Sequence, residues 1–210
     1  MTVWVKICGI TRAEDAVAAA DAGADAIGVN FHPASPRCCG VEAAAGIVGA
    51  VHDSLAVYGV FVAAGAEEIA DIARGLGLDG IQLHGEQTDR EVERVRTAVG
   101  EGVAFIRAVP VRSTAEVAKA LADAKGGYRV LLDSAAGGGS GKRFDDSLLT
   151  GIDLSAAILA GGLTAANVGE MVERFEPFGV DVAGGVEIEP GIKDHDRIRD
   201  FIDHARAHTS

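Results

Sequence analysis

Side chains that can move a proton or hold an anion recur in this sequence where a short apolar run gives way to a turn. Lys6 and Cys8 lie in the run Val3-Trp4-Val5-Lys6-Ile7-Cys8, which Gly9 stops. Asn30, Gln82, His84, Arg107, Asp133 and Asp181 hold corresponding places further on, and Arg37 sits on a Pro-bounded turn beyond Asn30. A buried strand that delivers polar groups to its C-terminal end is how α/β enzymes present their chemistry. Strand side chains alternate, so Lys6 and Cys8 share one face, which must accommodate an ammonium and a thiol, while Val5 and Ile7 share the other.

The elements that would position these residues follow a regular pattern. Strands are predicted at 3–8, 26–31, 55–61, 80–84, 104–109, 128–133, 157–160 and 180–182. Helices are predicted at about 13–22, 41–51, 66–76, from Thr88 onward, 113–124, 146–149, 164–175 and 194–207. Glu91, three residues after Thr88, reads as half of a capping box. Eight strands alternating with eight helices, roughly one unit per 26 residues, demand a parallel sheet and fit an α/β-class closed (β/α)8 TIM barrel better than an open doubly wound sheet, the alternative. The glycine-rich stretch Gly137 to Gly141 lies between apolar segments that continue the same pattern, so the whole chain, 1–210, reads as a single barrel domain.

Composition narrows the function. With 210 residues and 48% apolar content the chain can bury a sizeable core. Its N-terminus lacks the apolar segment of a signal peptide, and no apolar run approaches the ~18 residues of a membrane span, so the expectation is a soluble, cytoplasmic protein. Three cysteines, Cys8, Cys38 and Cys39, point to free thiols in a reducing compartment, with Cys38 and Cys39 as fill. Cysteine and histidine spacings match no metal site, so no metal is expected. A net charge of −12 disfavours nucleic acid and anionic membrane, leaving small molecules or other proteins as partners.

Two glycine pairs stand where a barrel of this kind binds phosphate through backbone N–H groups: Gly161-Gly162 after strand seven and Gly184-Gly185 after strand eight. Tight strand-to-helix turns are the alternative reading. Gly137-Gly138-Gly139-Ser140-Gly141-Lys142-Arg143 departs from a nucleotide P-loop at both ends, with Ala136 in place of the first glycine and Arg143 in place of Ser or Thr. It reads as a mobile loop over the barrel mouth, or as a plain connection.

Taken together, the motifs resemble phosphoribosylanthranilate isomerase of tryptophan biosynthesis over essentially the whole chain. They are Lys6-Ile7-Cys8-Gly9-Ile10-Thr11, Ser35-Pro36-Arg37, Gln82-Leu83-His84-Gly85, Leu132-Asp133, Gly138-Gly139-Ser140-Gly141 with Phe144-Asp145, Ala160-Gly161-Gly162-Leu163, and Gly185-Val186-Glu187 with Pro190-Gly191-Ile192-Lys193-Asp194. The resemblance implies an Amadori rearrangement of N-(5-phosphoribosyl)anthranilate, an aminoaldose, to an aminoketose, without a cofactor. It implies Asp133 as the acid, Cys8 as the base, Arg37 on the anthranilate carboxylate and Asp181 near the ribose. The implied partner is a small phosphorylated aminosugar, and the chain would be a monomer or homodimer.

Physical chemistry agrees with that division of roles. Asp133 ends an apolar strand, where desolvation favours the protonated donor form. Cys8, with an ordinary thiol pKa near 8.5, needs nearby cations, loop amides or positive charge on the substrate to form a thiolate. A small buried thiol and a helix-capping aspartate are the plainer readings of these two residues. Arg37 can hold a carboxylate bidentately, and Gln82 and His84 are expected at the mouth. Where the family usually carries a hydroxyl or amide side chain before the glycine after strand eight, this chain has Ala183-Gly184, leaving phosphate to backbone amides. Closure of a barrel would set strand eight beside strand one, which predicts a Lys6–Asp181 ion pair. Other readings of the fold are the related sugar isomerase of histidine biosynthesis, which resembles its relatives in using an aspartate where Cys8 stands, a Schiff-base aldolase, for which Lys6 lies too early in its strand, and a non-catalytic phosphate-ligand module.

Overall fold

The apolar runs are short because each becomes a strand covered on both faces, inside by the barrel's own interior and outside by helices. The computed structural model describes residues 2–85, 87–124, 127–134 and 145–207. Its strands are β1 (Trp4–Cys8), β2 (Ala26–Asn30), β3 (Ala56–Phe61), β4 (Gly80–Leu83), β5 (Ala104–Val111), β6 (Arg129–Ser134), β7 (Ala157–Leu159) and β8 (Gly179–Val182). All pair in parallel and in sequence order, and β8 returns to β1 with Lys6 opposite Asp181. The expected closed barrel is what forms; the open sheet does not.

The helices are α1 (Ala13–Asp21), α2 (Val41–Val51), α3 (Ala66–Leu76), α4 (Asp89–Val99), α5 (Thr114–Asp123), α6 (Ala165–Phe175) and α7 (His195–Arg206). Their apolar stripes cover alternate strand residues such as Val5, Ile7, Ile27, Ile81 and Leu132, all with at most 2% of their surface exposed. At α4 the expected capping box is present: Thr88 Oγ1 accepts from Glu91 N at 3.3 Å and Glu91 Oε2 accepts from Thr88 N at 2.8 Å. The opposite strand faces fill the barrel with Ile106, Ala108, Leu131, Ile158 and Ala160, packed against Trp4, Tyr58 and Phe178. Trp4 begins β1 and Phe178 precedes β8, so aromatic rings close the N-terminal end and polar groups are left to the C-terminal end.

Two features differ from the sequence pattern. The element expected at 146–149 is a single 3-10 turn, Asp146–Leu149, capped by Asp145 on Ser147 N; four residues are too few to sustain α-helical bonding, so seven α-helices rather than eight occur among the described residues. After β8 the chain also makes a small hairpin, β9 (Glu187–Glu189) and β10 (Ile192–Lys193), around Pro190-Gly191, with Gly191 at φ +88°. The Gly137–Arg143 stretch lies outside the described residues. Among those described, no helix is long and apolar enough to cross a membrane.

The loops after β7 and β8 touch backbone to backbone at Gly185, where an added Cβ would overlap the Leu163 carbonyl oxygen. Gly185→Ala should therefore lower stability by about 1–3 kcal/mol, the usual range for overpacking. A thermal melt followed by circular dichroism checks this; an unchanged midpoint would mean that the two loops part without strain.

Candidate active site

At the C-terminal ends of the strands lies a cavity of about 390 Å³, a size suited to a small ligand. Cys8, Asn30, Arg37, Gln82, His84, Asp133, Asp181 and all four expected glycines, Gly161, Gly162, Gly184 and Gly185, line it. Of the strand-end residues, Lys6 lies buried beneath the cavity and Arg107 is turned away from it. In β5 the inward positions are Ile106 and Ala108, so Arg107 faces outward, where it donates to Asp89 Oδ1 and to the Gln87 carbonyl, each at 2.7 Å.

The floor of the cavity is ionic. Lys6, with no exposed surface, donates from Nζ to Asp181 Oδ1 at 2.6 Å, the pair that barrel closure demands. Burial alone would push the Lys6 ammonium down, but Asp181, with a smaller contribution from Cys8, holds it above its ordinary value. Cys8 departs from expectation. Burial drives its thiol up, and the lowering by Lys6 and by Lys193 does not overcome burial together with the Asp181 charge. The resting thiol is therefore protonated at neutral pH, chiefly because it is buried, with Asp181 offsetting part of the pull of Lys6.

Asp133, 6% exposed, is raised chiefly by burial, against the pull of His84, whose Nε2 stands 3.8 Å from Oδ2, beyond hydrogen-bond range. Ser134 N donates to Oδ1 at 2.7 Å. Gly161, at φ +82°, passes so close that a Cβ there would lie 2.7 Å from Asp133 Oδ1, so this glycine makes room for the carboxyl as well as facing the cavity. Gln82 is 2% exposed, and its Oε1 has no hydrogen-bond partner among the described residues, leaving a buried acceptor beside the cavity.

Arg37 is not a free cation at the mouth. Its Nε and Nη2 donate to Glu187 Oε1 and Oε2 at 2.8 and 2.7 Å. Behind Glu187 lies Lys193, 2% exposed, whose Nζ donates to Glu187 Oε1 at 2.9 Å, to the Cys8 carbonyl at 2.6 Å and to the Ala183 carbonyl at 3.1 Å. The three acceptors take up all three N–H groups of an ammonium. Both Glu187 and Lys193 stand in motifs recognisable in the sequence, yet the Arg37–Glu187 pair joins a strand of three residues to a turn 150 positions away, and no local periodicity announces it.

A family model described as N-(5'phosphoribosyl)anthranilate (PRA) isomerase matches residues 5–204. The chain belongs to the phosphoribosylanthranilate isomerase family. It is 42% identical over 204 residues to N-(5'-phosphoribosyl)anthranilate isomerase of Pseudomonas fluorescens, covering 96% of this chain and 94% of that one. Among solved structures it resembles the phosphoribosyl anthranilate isomerase of Thermotoga maritima, with 39% identity, a TM-score of 0.86 and coverage of 98% and 99%. A structure of phosphoribosyl anthranilate isomerase in complex with reduced 1-(o-carboxyphenylamino)-1-deoxyribulose 5-phosphate matches with 37% identity, a TM-score of 0.84 and the same coverage. The cavity of this phosphoribosylanthranilate isomerase family member is thus the end of the barrel where the fold builds its sites.

Replacing Lys6 by methionine leaves Asp181 buried and unpaired, a loss of about 3–5 kcal/mol for a broken buried pair. The same change removes the main cation lowering the thiol, so Cys8 should alkylate with iodoacetamide more slowly, and its reactivity profile should move to higher pH. A variant that loses stability with an unmoved alkylation profile would show that Lys6 does not act on Cys8.

Proposed function

We infer that this cavity isomerises N-(5-phosphoribosyl)anthranilate to 1-(o-carboxyphenylamino)-1-deoxyribulose 5-phosphate, the aldose–ketose step of tryptophan biosynthesis for which the matched family is named. The observation that carries the assignment of roles is a buried carboxyl on β6 and a buried thiol on β1 facing one cavity, the carboxyl biased toward its protonated form. Asp133 donates its proton to the furanose ring oxygen while the amine nitrogen's lone pair forms the C1′–N double bond and the C1′–O bond breaks. The Cys8 thiolate then removes the C2′ proton, and the C2′–H electrons form a C1′–C2′ double bond as the Schiff-base nitrogen recovers its lone pair. The resulting enolamine becomes the ketone when C1′ takes up a proton and the C2′ hydroxyl loses one, so the sequence is an isomerisation with no net gain or loss.

Positioning would come from the rim. The backbone around Gly161, Gly162, Gly184 and Gly185 can hold the phosphate, helped by the close approach of the two loops and without a hydroxyl at Ala183. Arg37 offers the aromatic carboxylate its guanidinium, and Asp181 and His84 face the sugar.

The ionisations set the pH dependence. The reactive form pairs protonated Asp133 with deprotonated Cys8, and the thiol remains the weaker acid, so this form is a constant minority between the two pKa values. Accordingly kcat/KM should rise up to the Asp133 pKa, stay level, and fall above the Cys8 pKa. Cys8→Ala and Asp133→Asn should each lower kcat roughly 10²-fold or more with the fold intact. Loss of substrate fluorescence on the purified protein measures both; near-wild-type turnover in either variant removes that residue from its role.

A further inference from the structure

Arg37 reaches the cavity with one edge of its guanidinium already occupied. The side-on pair, Nε and Nη2, is taken by Glu187. A guanidinium carries five N–H groups in a planar fork, so the end-on edge remains: one N–H of Nη1 beside the second N–H of Nη2. Among the described residues Nη1 has no hydrogen-bond partner, and Arg37 lines the cavity.

Glu187 cannot readily be displaced from the other edge. Besides the two Arg37 bonds it accepts from Lys193 Nζ at 2.9 Å and Gly191 N at 3.2 Å, and its side chain is 4% exposed. Lys193, in turn, ties the group to the carbonyls of Cys8 and Ala183, the C-terminal ends of β1 and β8. Two cations and one anion leave a single positive charge, which one carboxylate at the end-on edge would balance.

We propose that Glu187 is a positioning residue for substrate selection: anchored by Lys193, it holds Arg37 side-on so that the end-on edge recognises the ring carboxylate of an ortho-carboxyphenylamine. The proposal rests on the reading of the reaction given above and adds a residue to it. Glu187 acts through Arg37 and touches no substrate itself. Because Lys193 bonds the Cys8 carbonyl, the carboxylate site is also held at a set distance from the thiol strand.

The test compares N-(5-phosphoribosyl)anthranilate with its phenyl counterpart lacking the carboxylate, in wild type, Glu187→Gln, Arg37→Ala and the double variant. Glu187→Gln should raise KM for the carboxylate-bearing substrate by about tenfold or more, with a smaller change in kcat, and leave the phenyl counterpart's KM within about twofold. In the Arg37→Ala background the same change should add little. Equal losses on both substrates, or undiminished loss without Arg37, would make Glu187 merely structural and overturn the proposal. Should Glu187→Gln fail to fold, Arg37→Lys decides: an ammonium has no planar edges and cannot offer a parallel pair of N–H groups to Glu187 and another pair to a carboxylate, so the preference for the carboxylate should fall to that of Arg37→Ala, and a retained preference refutes the shared guanidinium. Wild-type protein that does not turn over the anthranilate substrate overturns the reaction itself and this proposal with it, whereas turnover with an unaltered preference in the variants overturns the proposal alone.

Discussion

The site depends on an ammonium inside a barrel. Lys6 has no exposed surface, and desolvating an unpaired ammonium costs several kcal/mol, so β1 can carry it only where another strand brings a carboxylate within reach. Closure of eight strands brings β8 back to β1, and Asp181 opposite Lys6 supplies that carboxylate. A slip by one residue between β1 and β8 would turn either the lysine or the aspartate into the apolar layer under the helices, so the pair also fixes the register in which Cys8 reaches the cavity. Stability and chemistry share this contact, and it is the reason that Lys6, though a cation beside the thiol, delivers little net positive charge to it.

A second buried ammonium repeats the design one layer higher. Lys193 is fully used by two strand-end carbonyls and Glu187, and its negative partner is shared with Arg37. Each buried ammonium thus has a carboxylate partner, and the surplus positive charge of the second cluster is left to Arg37. What remains for a ligand is the unpaired edge of Arg37, the buried Gln82 acceptor, the Asp133 carboxyl and the rim of glycine backbone, a set complementary to a molecule with a carboxylate, hydroxyl groups and a phosphate.

How much of this was legible in the sequence follows from the range of each interaction. The barrel was, because eight short apolar runs alternate with amphipathic stretches and each turn is marked by Gly, Pro or a cap. The Lys6–Asp181 pair was too, because closure leaves β1 no other new neighbour than β8. Arg107 was misplaced among the site candidates because a strand buried on both faces shows no polar alternation to reveal which parity points inward. The Arg37–Glu187–Lys193 cluster stayed hidden since β9 and β10 are too short for any periodicity, and its partners lie 150 residues apart. The direction of the Cys8 shift needed the relative weight of burial and charge, which motif and spacing do not contain.

A base whose thiol is raised is less often ionised, yet it is the stronger base when it is, and the two effects oppose each other in the rate. The substrate can tip the balance. Opening the sugar ring creates a Schiff base whose nitrogen is positively charged in the same low-dielectric cavity, and a cation there stabilises the thiolate more than one in water would. In the resting site burial and Asp181 keep the proton on sulfur; in the mechanism proposed above, the charge created by ring opening favours its departure. With Cys8 as the proposed base, compensating Lys6 in advance makes the thiol respond to the intermediate, which is when that mechanism needs a base, and a permanently ionised cysteine would lose that selectivity along with part of its basicity.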